Sequence, residues 1–216
     1  MKTLFSALLI ALLAGTASAQ MKVGVIASST GPTAFVGIPQ KNTVPLLPTR
    51  IGDVSVEYIY YDDASDATQT VQFVKRFLAE HKVDAFIGPT GSPNAMAVLP
   101  FVAESGTPML APVGTPAVVL PMDEQKRWAF KTTQNDGLIA DALVAHMKKN
   151  GVKTLGFIGY NDPYGESWLK EITAQARSAG LNLVAVERYQ RTDQSVSGQA
   201  IKLVAAKPDA VLVAGS

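Results

Sequence analysis

Few side chains in this sequence are of the kinds that make or break covalent bonds. There is no cysteine, which excludes thiol catalysis, thiolate-held zinc and disulfides. The only two histidines, His81 and His146, fall far apart at or within segments that read as helices, so ordinary helix-surface positions account for them better than shared catalysis or metal binding. No G-x-G-x-x-G, Walker-A or G-x-S-x-G pattern occurs. Asp62, Asp63 and Asp66 could be read as a metal cluster, but they follow a strand and open a helix, where turn and capping roles are expected. What remains is non-covalent chemistry. Three loops mix glycine, which lets backbone approach a ligand, with hydroxyls: SSTGP at 28–32, GPTGS at 88–92 and PVGT at 112–115. Ser92 and Thr115 each precede a proline that can start a helix, so a hydroxyl and free backbone N–H groups would meet there. That arrangement suits a carboxylate, and it equally suits plain helix capping.

Those loops need strands and helices to hold them. Apolar, β-branched and aromatic runs at 21–27, 56–61, 84–88, 108–111, 128–131, 154–159, 182–187 and 210–213 read as strands. Amphipathic segments of helix length lie between most of them. Asp66 with Gln69 makes a capping-box pattern opening a helix to Glu80, and Ser92-Pro93 and Asp162-Pro163 read as N-cap plus first-turn proline. Gly106, Gly151 and Gly180 stand where helix-ending glycines belong. Pro39, Pro45 and Pro48 limit any helix around 32–53 to a short one. The alternation predicts an α/β fold of open, mostly parallel sheets covered on both faces, with ligand loops at the carboxyl ends of the strands.

The first 19 residues combine a basic start at Lys2, an apolar run and the small-residue site Ala17-Ser18-Ala19, the pattern of a cleavable signal peptide. The run is too short to span a bilayer, and no cysteine follows it to carry a lipid. Lys2 is the only charged residue in that segment, so its removal leaves basic and acidic side chains in balance. Neither nucleic acid nor an anionic membrane surface is indicated as a partner. The expected division is a signal peptide over 1–19, an N-terminal ligand-binding lobe over 20–134 and a partial second lobe over 135–216.

The strings STGPTAFVG (29–37), YDDASDATQTV (61–71), VDAFIGPTGSPNAMAV (83–98), TPMLAPVGTP (107–116), FKTTQND (130–136), YGE (164–166) and KPDAVLVAGS (207–216) come in the order found in periplasmic binding proteins of the leucine/isoleucine/valine-binding family, which the chain resembles over essentially all of its length after the leader. The resemblance implies two Rossmann-like lobes, the type I periplasmic binding protein fold, closing on a solute in the cleft between them. It implies a non-enzymatic periplasmic receptor that acts as a monomer and delivers an amino acid, or an aromatic carboxylate, to an ABC permease in the inner membrane, without a cofactor or metal. A sensory ligand-binding module of the same fold is the alternative.

By the same resemblance Ser92 receives the ligand carboxylate, and Thr115 contacts carboxylate through its N–H and ammonium through its hydroxyl. The Val113 carbonyl accepts from the ammonium, and Tyr164 covers the ligand from the second lobe. The family often has an aromatic residue where this chain has Val36, with Phe35 one position earlier, so the wall that meets the solute side chain differs. Members run on well beyond the strand that ends here at Ser216, so the sequence is expected to be C-terminally truncated.

Overall fold

The computed structural model describes residues 20–215; the signal-peptide reading lies outside the described residues. Its first sheet has the order β2-β3-β1-β4-β5-β6. The strands are β1 Gln20–Ile26, β2 Arg50–Ile51, β3 Val54–Tyr61, β4 Ala85–Ile87, β5 Met109–Ala111 and β6 Ala129–Lys131. All pairings are parallel except the hairpin of β2 with β3. Its turn passes through Gly52, at φ +59°. Because β1 lies between neighbours and under helices on both faces, its last four residues are all buried, which is why it reads as a continuous apolar run. The chain leaves β1 to one side to form β3 and returns to its other side as β4. That reversal opens a crevice at the carboxyl ends of β1 and β4.

The helices of this part are α1 Ala34–Thr43, α2 Ala67–Arg76 and α3 Ser92–Ser105. Ala95, Val98, Leu99 and Val102 give α3 one apolar stripe, which packs with Phe77, Phe86 and Met109 in the core. Asp66 caps α2 by accepting from the Gln69 N–H at 2.8 Å. Two readings of the sequence need correction. Ser92 is the first helical residue of α3 and not its cap: Gly91 occupies the cap in an extended conformation, and no side chain caps this end. The predicted helix through Glu80 is regular only to Arg76, then widens into a π turn over Phe77–His81 that places Phe77 in the core and closes on Lys82 at φ +52°. The helix expected to be short around 32–53 is indeed only the ten residues of α1, with Pro39 inside it on the exposed side.

The second sheet is parallel, with the order β8-β7-β9, from β7 Thr154–Tyr160, β8 Asn182–Tyr189 and β9 Ala210–Ala214. Helices α4 Asp136–Lys149, α5 Pro163–Ala179 and α6 Ser197–Ala206 accompany it. Leu155, Phe157, Trp168 and Ile172 form its core. Asp162 caps α5 as its sequence context predicts, accepting from the N–H groups of Tyr164 and Gly165. The two sheets share a device at the strand that starts each ligand crevice. A methyl group on Gly37 of α1 would collide with the Ser28 carbonyl just after β1, and one on Gly165 of α5 with the Tyr160 carbonyl at the end of β7. Only glycine lets each helix settle its first turns directly on the strand end.

Candidate ligand-binding cleft

The hydroxyls that follow β1 and β4 serve mainly to fix the loops themselves. Asp63 is fully buried and accepts four hydrogen bonds: from Ser28 Oγ at 2.6 Å, Thr70 Oγ1 at 2.7 Å, Asn94 Nδ2 at 3.0 Å and the Ser65 N–H at 3.0 Å. It ties the end of β1 to α2 and α3. Thr90 Oγ1 accepts from the Ser28 N–H and donates to Gln40 Oε1, which binds the β4 loop to the same framework. Burial alone would raise the Asp62 carboxyl, but hydrogen bonds from Ala64, Ser29 and Thr30 outweigh it and hold the group below its usual range. The acidic cluster is thus a set of turn and cap acceptors. Ser92 differs from its neighbours: the residue is largely buried, but its hydroxyl makes no hydrogen bond among the described residues.

That hydroxyl borders a cleft of about 360 Å³ lying at the carboxyl ends of both sheets. Phe35 and Val36 of α1, Ser92 of α3, and Val113 and Gly114 after β5 line it from one side. Tyr160 at the end of β7, Tyr164 in the first turn of α5, Arg191 after β8 and Gly215 after β9 line it from the other. Four of the five residues singled out from the sequence, Ser92, Val113, Tyr164 and Val36, therefore come together. Thr115 does not line this cleft. It is buried, its hydroxyl accepts from the Ala117 N–H at 3.3 Å, and it borders a neighbouring pocket with Pro163 and Ser167.

Sequence reasoning missed Arg191 and Tyr160. Arg191 Nε donates to Asp162 Oδ2 at 2.6 Å, and its guanidinium carbon sits 4.0 Å from the centre of the Tyr160 ring. Held by a carboxylate on one edge and a ring on one face, the group keeps its terminal nitrogens without a protein acceptor among the described residues. Burial raises the Tyr164 hydroxyl, and burial beside Tyr160 pushes Tyr189 up to about 12, so these rings stay neutral across the physiological range. No Asp or Glu stands among the described residues lining the cleft.

Behind the Val113–Gly114 turn lies the segment that joins the two sheets. Thr133 Oγ1 donates to the Val113 carbonyl at 2.6 Å. Lys131 Nζ donates to the carbonyls of Thr133 and Gln134 at 2.8 and 2.6 Å and lies 3.3 Å from Thr133 Oγ1. Burial lowers the Lys131 ammonium, opposed by the charge of Asp136. Burial likewise raises the Asp136 carboxyl, against a hydrogen bond from Ser167 Oγ at 2.7 Å.

Residues 20–216 match the family described as periplasmic binding protein. Among solved structures, an extracellular ligand-binding receptor from Rhodopseudomonas palustris HaA2 superposes with a TM-score of 0.88 at 39% identity, over 90% of this chain and 54% of that one. A curated relative, the Leu/Ile/Val-binding protein BraC3 of Rhizobium johnstonii, is 25% identical over all of this chain and 60% of its own length. A solute-binding protein of an ABC transporter from R. palustris, solved with 4-hydroxybenzoate, shares the fold at 21% identity with a TM-score of 0.81, over 90% of this chain and 53% of its own. The chain thus spans little more than half the length of these relatives.

Proposed function

We propose that this chain, which belongs to the periplasmic binding protein family, is the extracytoplasmic receptor of an ABC importer and takes up a small carboxylate with an apolar or aromatic body. The observation that carries this reading is the placement of Arg191 across the cleft from Ser92, with no acid among the described residues of the lining. A guanidinium with free terminal N–H groups is the side chain best matched to a carboxylate, which it grips by two parallel hydrogen bonds. The open hydroxyl of Ser92, at the N-terminal turn of α3, adds a donor beside backbone N–H groups and the positive end of the helix. Phe35, Val36, Tyr160 and Tyr164 supply apolar and ring surface for the rest of the solute. A volume of about 360 Å³ lies in the range of small-molecule sites.

The names of the relatives support two kinds of solute. One is named for leucine, isoleucine and valine, and another was solved with 4-hydroxybenzoate. A branched-chain amino acid and an aromatic carboxylate share the carboxylate and the apolar body. Arg191, Ser92 and the ring walls address those common parts. A solute bridging the lobes over 20–134 and 135–216 favours the closed state through the contacts it makes better there, and the closed form is what a permease would receive.

A thermal-shift screen of aromatic and aliphatic carboxylates, amino acids and their amides tests this reading. A solute present at a hundred times its dissociation constant adds about 2.7 kcal/mol, or about 5–10 °C for a chain of this length. Shifts given by carboxylates and not by the matched amides are expected. No shift with any acid would overturn the proposal.

A further inference from the structure

We infer that Thr133 is a specificity-determining residue that sets the cleft against solutes carrying an ammonium group, an inference that rests on the carboxylate reading above. An α-amino acid brings two charged poles, and its ammonium needs carbonyl or carboxylate acceptors. Val113 borders the cleft, and Thr133 Oγ1 already donates to its carbonyl at 2.6 Å. The direction of that bond is fixed by its other neighbour. Lys131 Nζ, 3.3 Å from Thr133 Oγ1, is a donor only, so the hydroxyl must accept from lysine and send its single proton to Val113.

Lys131 is itself anchored by the carbonyls of Thr133 and Gln134, which keeps its charge one hydroxyl away from the Val113 carbonyl. On the opposite wall stands Arg191, and the lining holds no acid among the described residues. The Asp136 carboxylate lies beside Gly114 but is not among the lining residues, and its Oδ2 accepts from Ser167 Oγ. An ammonium in this cleft would meet a guanidinium on one side, on the other a carbonyl with one of its two acceptor positions already taken by Thr133, and no carboxylate among the described lining residues. A carboxylate without an ammonium makes no demand on that carbonyl and finds donors in Arg191 and Ser92.

Calorimetric titration of the full chain with matched acids tests this. The pairs differ only in the ammonium: phenylacetate against L-phenylglycine, 3-phenylpropanoate against L-phenylalanine, and 4-methylpentanoate against L-leucine. The member without the ammonium is expected to bind at least about tenfold more tightly. Thr133→Val, which frees the Val113 carbonyl at nearly constant shape, should shrink that ratio by about tenfold, and Thr133→Ser should retain it. An amino acid that binds wild-type protein as tightly as its partner overturns the inference, as does a Thr133→Val variant that weakens both members equally. The wild-type ratios and the Ser variant decide the matter even where the Val variant does not fold. If none of the six acids binds wild-type protein, the carboxylate reading itself fails and this inference falls with it.

Discussion

Asp63→Ala removes the acceptor on which the floor of the cleft is assembled, and its cost can be worked bond by bond. Of the four donors that Asp63 serves, Thr70 Oγ1 retains the Asp66 carbonyl at 2.8 Å, and Asn94 Nδ2 retains Thr70 Oγ1 at 2.8 Å. Ser28 Oγ and the Ser65 N–H are left with no acceptor. A stranded buried donor such as Ser28 Oγ costs about 1–3 kcal/mol and the half-buried Ser65 N–H adds less, so the variant should lose about 2–5 kcal/mol. For a chain of this length that lowers the melting temperature by about 5–15 °C. Urea unfolding followed by circular dichroism measures the change, with an unaltered slope showing that the effect lies in stability. Because Asn94 belongs to the turn of α3 that presents Ser92, carboxylate affinity should fall with it. A loss below about 1 kcal/mol would refute the assignment of Asp63 as the structural hub.

Three further outcomes follow from the same geometry. Ser92→Ala should weaken carboxylate binding about ten- to a hundredfold in calorimetry. Its melting temperature should stay within what about 0.5 kcal/mol allows, because its hydroxyl caps nothing; a large stability loss at unchanged affinity would return Ser92 to a structural role. Gly165→Ala should cost about 1–3 kcal/mol, since the added methyl meets the Tyr160 carbonyl, and a neutral result in thermal unfolding would contradict the close packing of α5 on β7. Burial holds the Asp136 carboxyl above its usual value, so the native state binds that proton more tightly than the unfolded chain does. Its contribution is fully present below the unfolded value near 3.9 and is lost as pH rises through the higher native one. The melting temperature of wild-type protein minus that of Asp136→Asn should therefore grow as pH falls from 7 to 4; a flat or shrinking difference contradicts it.

The order of strands and helices was legible because central parallel strands are buried on both faces and so read as apolar runs; β1 and β7 are the clearest. Their carboxyl-end loops could then be named from topology alone. The β2 hairpin escaped because two exposed residues, Arg50 and Ile51, carry no periodicity. Ser92 was placed one position too early because proline fits the first or second helical residue alike, and the extended backbone of Gly91 decided between them. On the second wall, β8 was read as ending at 187 whereas it runs to Tyr189, with alternating exposure that a lone three-stranded sheet imposes on its edge. That shortfall hid Arg191, which in the structure sits two residues past the strand. The same rule that drew attention to Ser28 after β1 would have found it. The link of Thr133 to Val113 joins residues 20 apart across a loop, and no local pattern announces such a bond.

The measurement that bears most directly on the central claim is calorimetric titration of wild-type protein and Arg191→Gln with the carboxylate that gives the largest thermal shift, alongside its uncharged amide. A charge-assisted bidentate contact is worth about 1.5–3 kcal/mol, so Arg191→Gln should bind the carboxylate about ten- to a hundredfold more weakly while its affinity for the amide changes little. Equal carboxylate affinity in the two proteins would contradict the account, because the second-lobe wall would then play no part in recognising the charge.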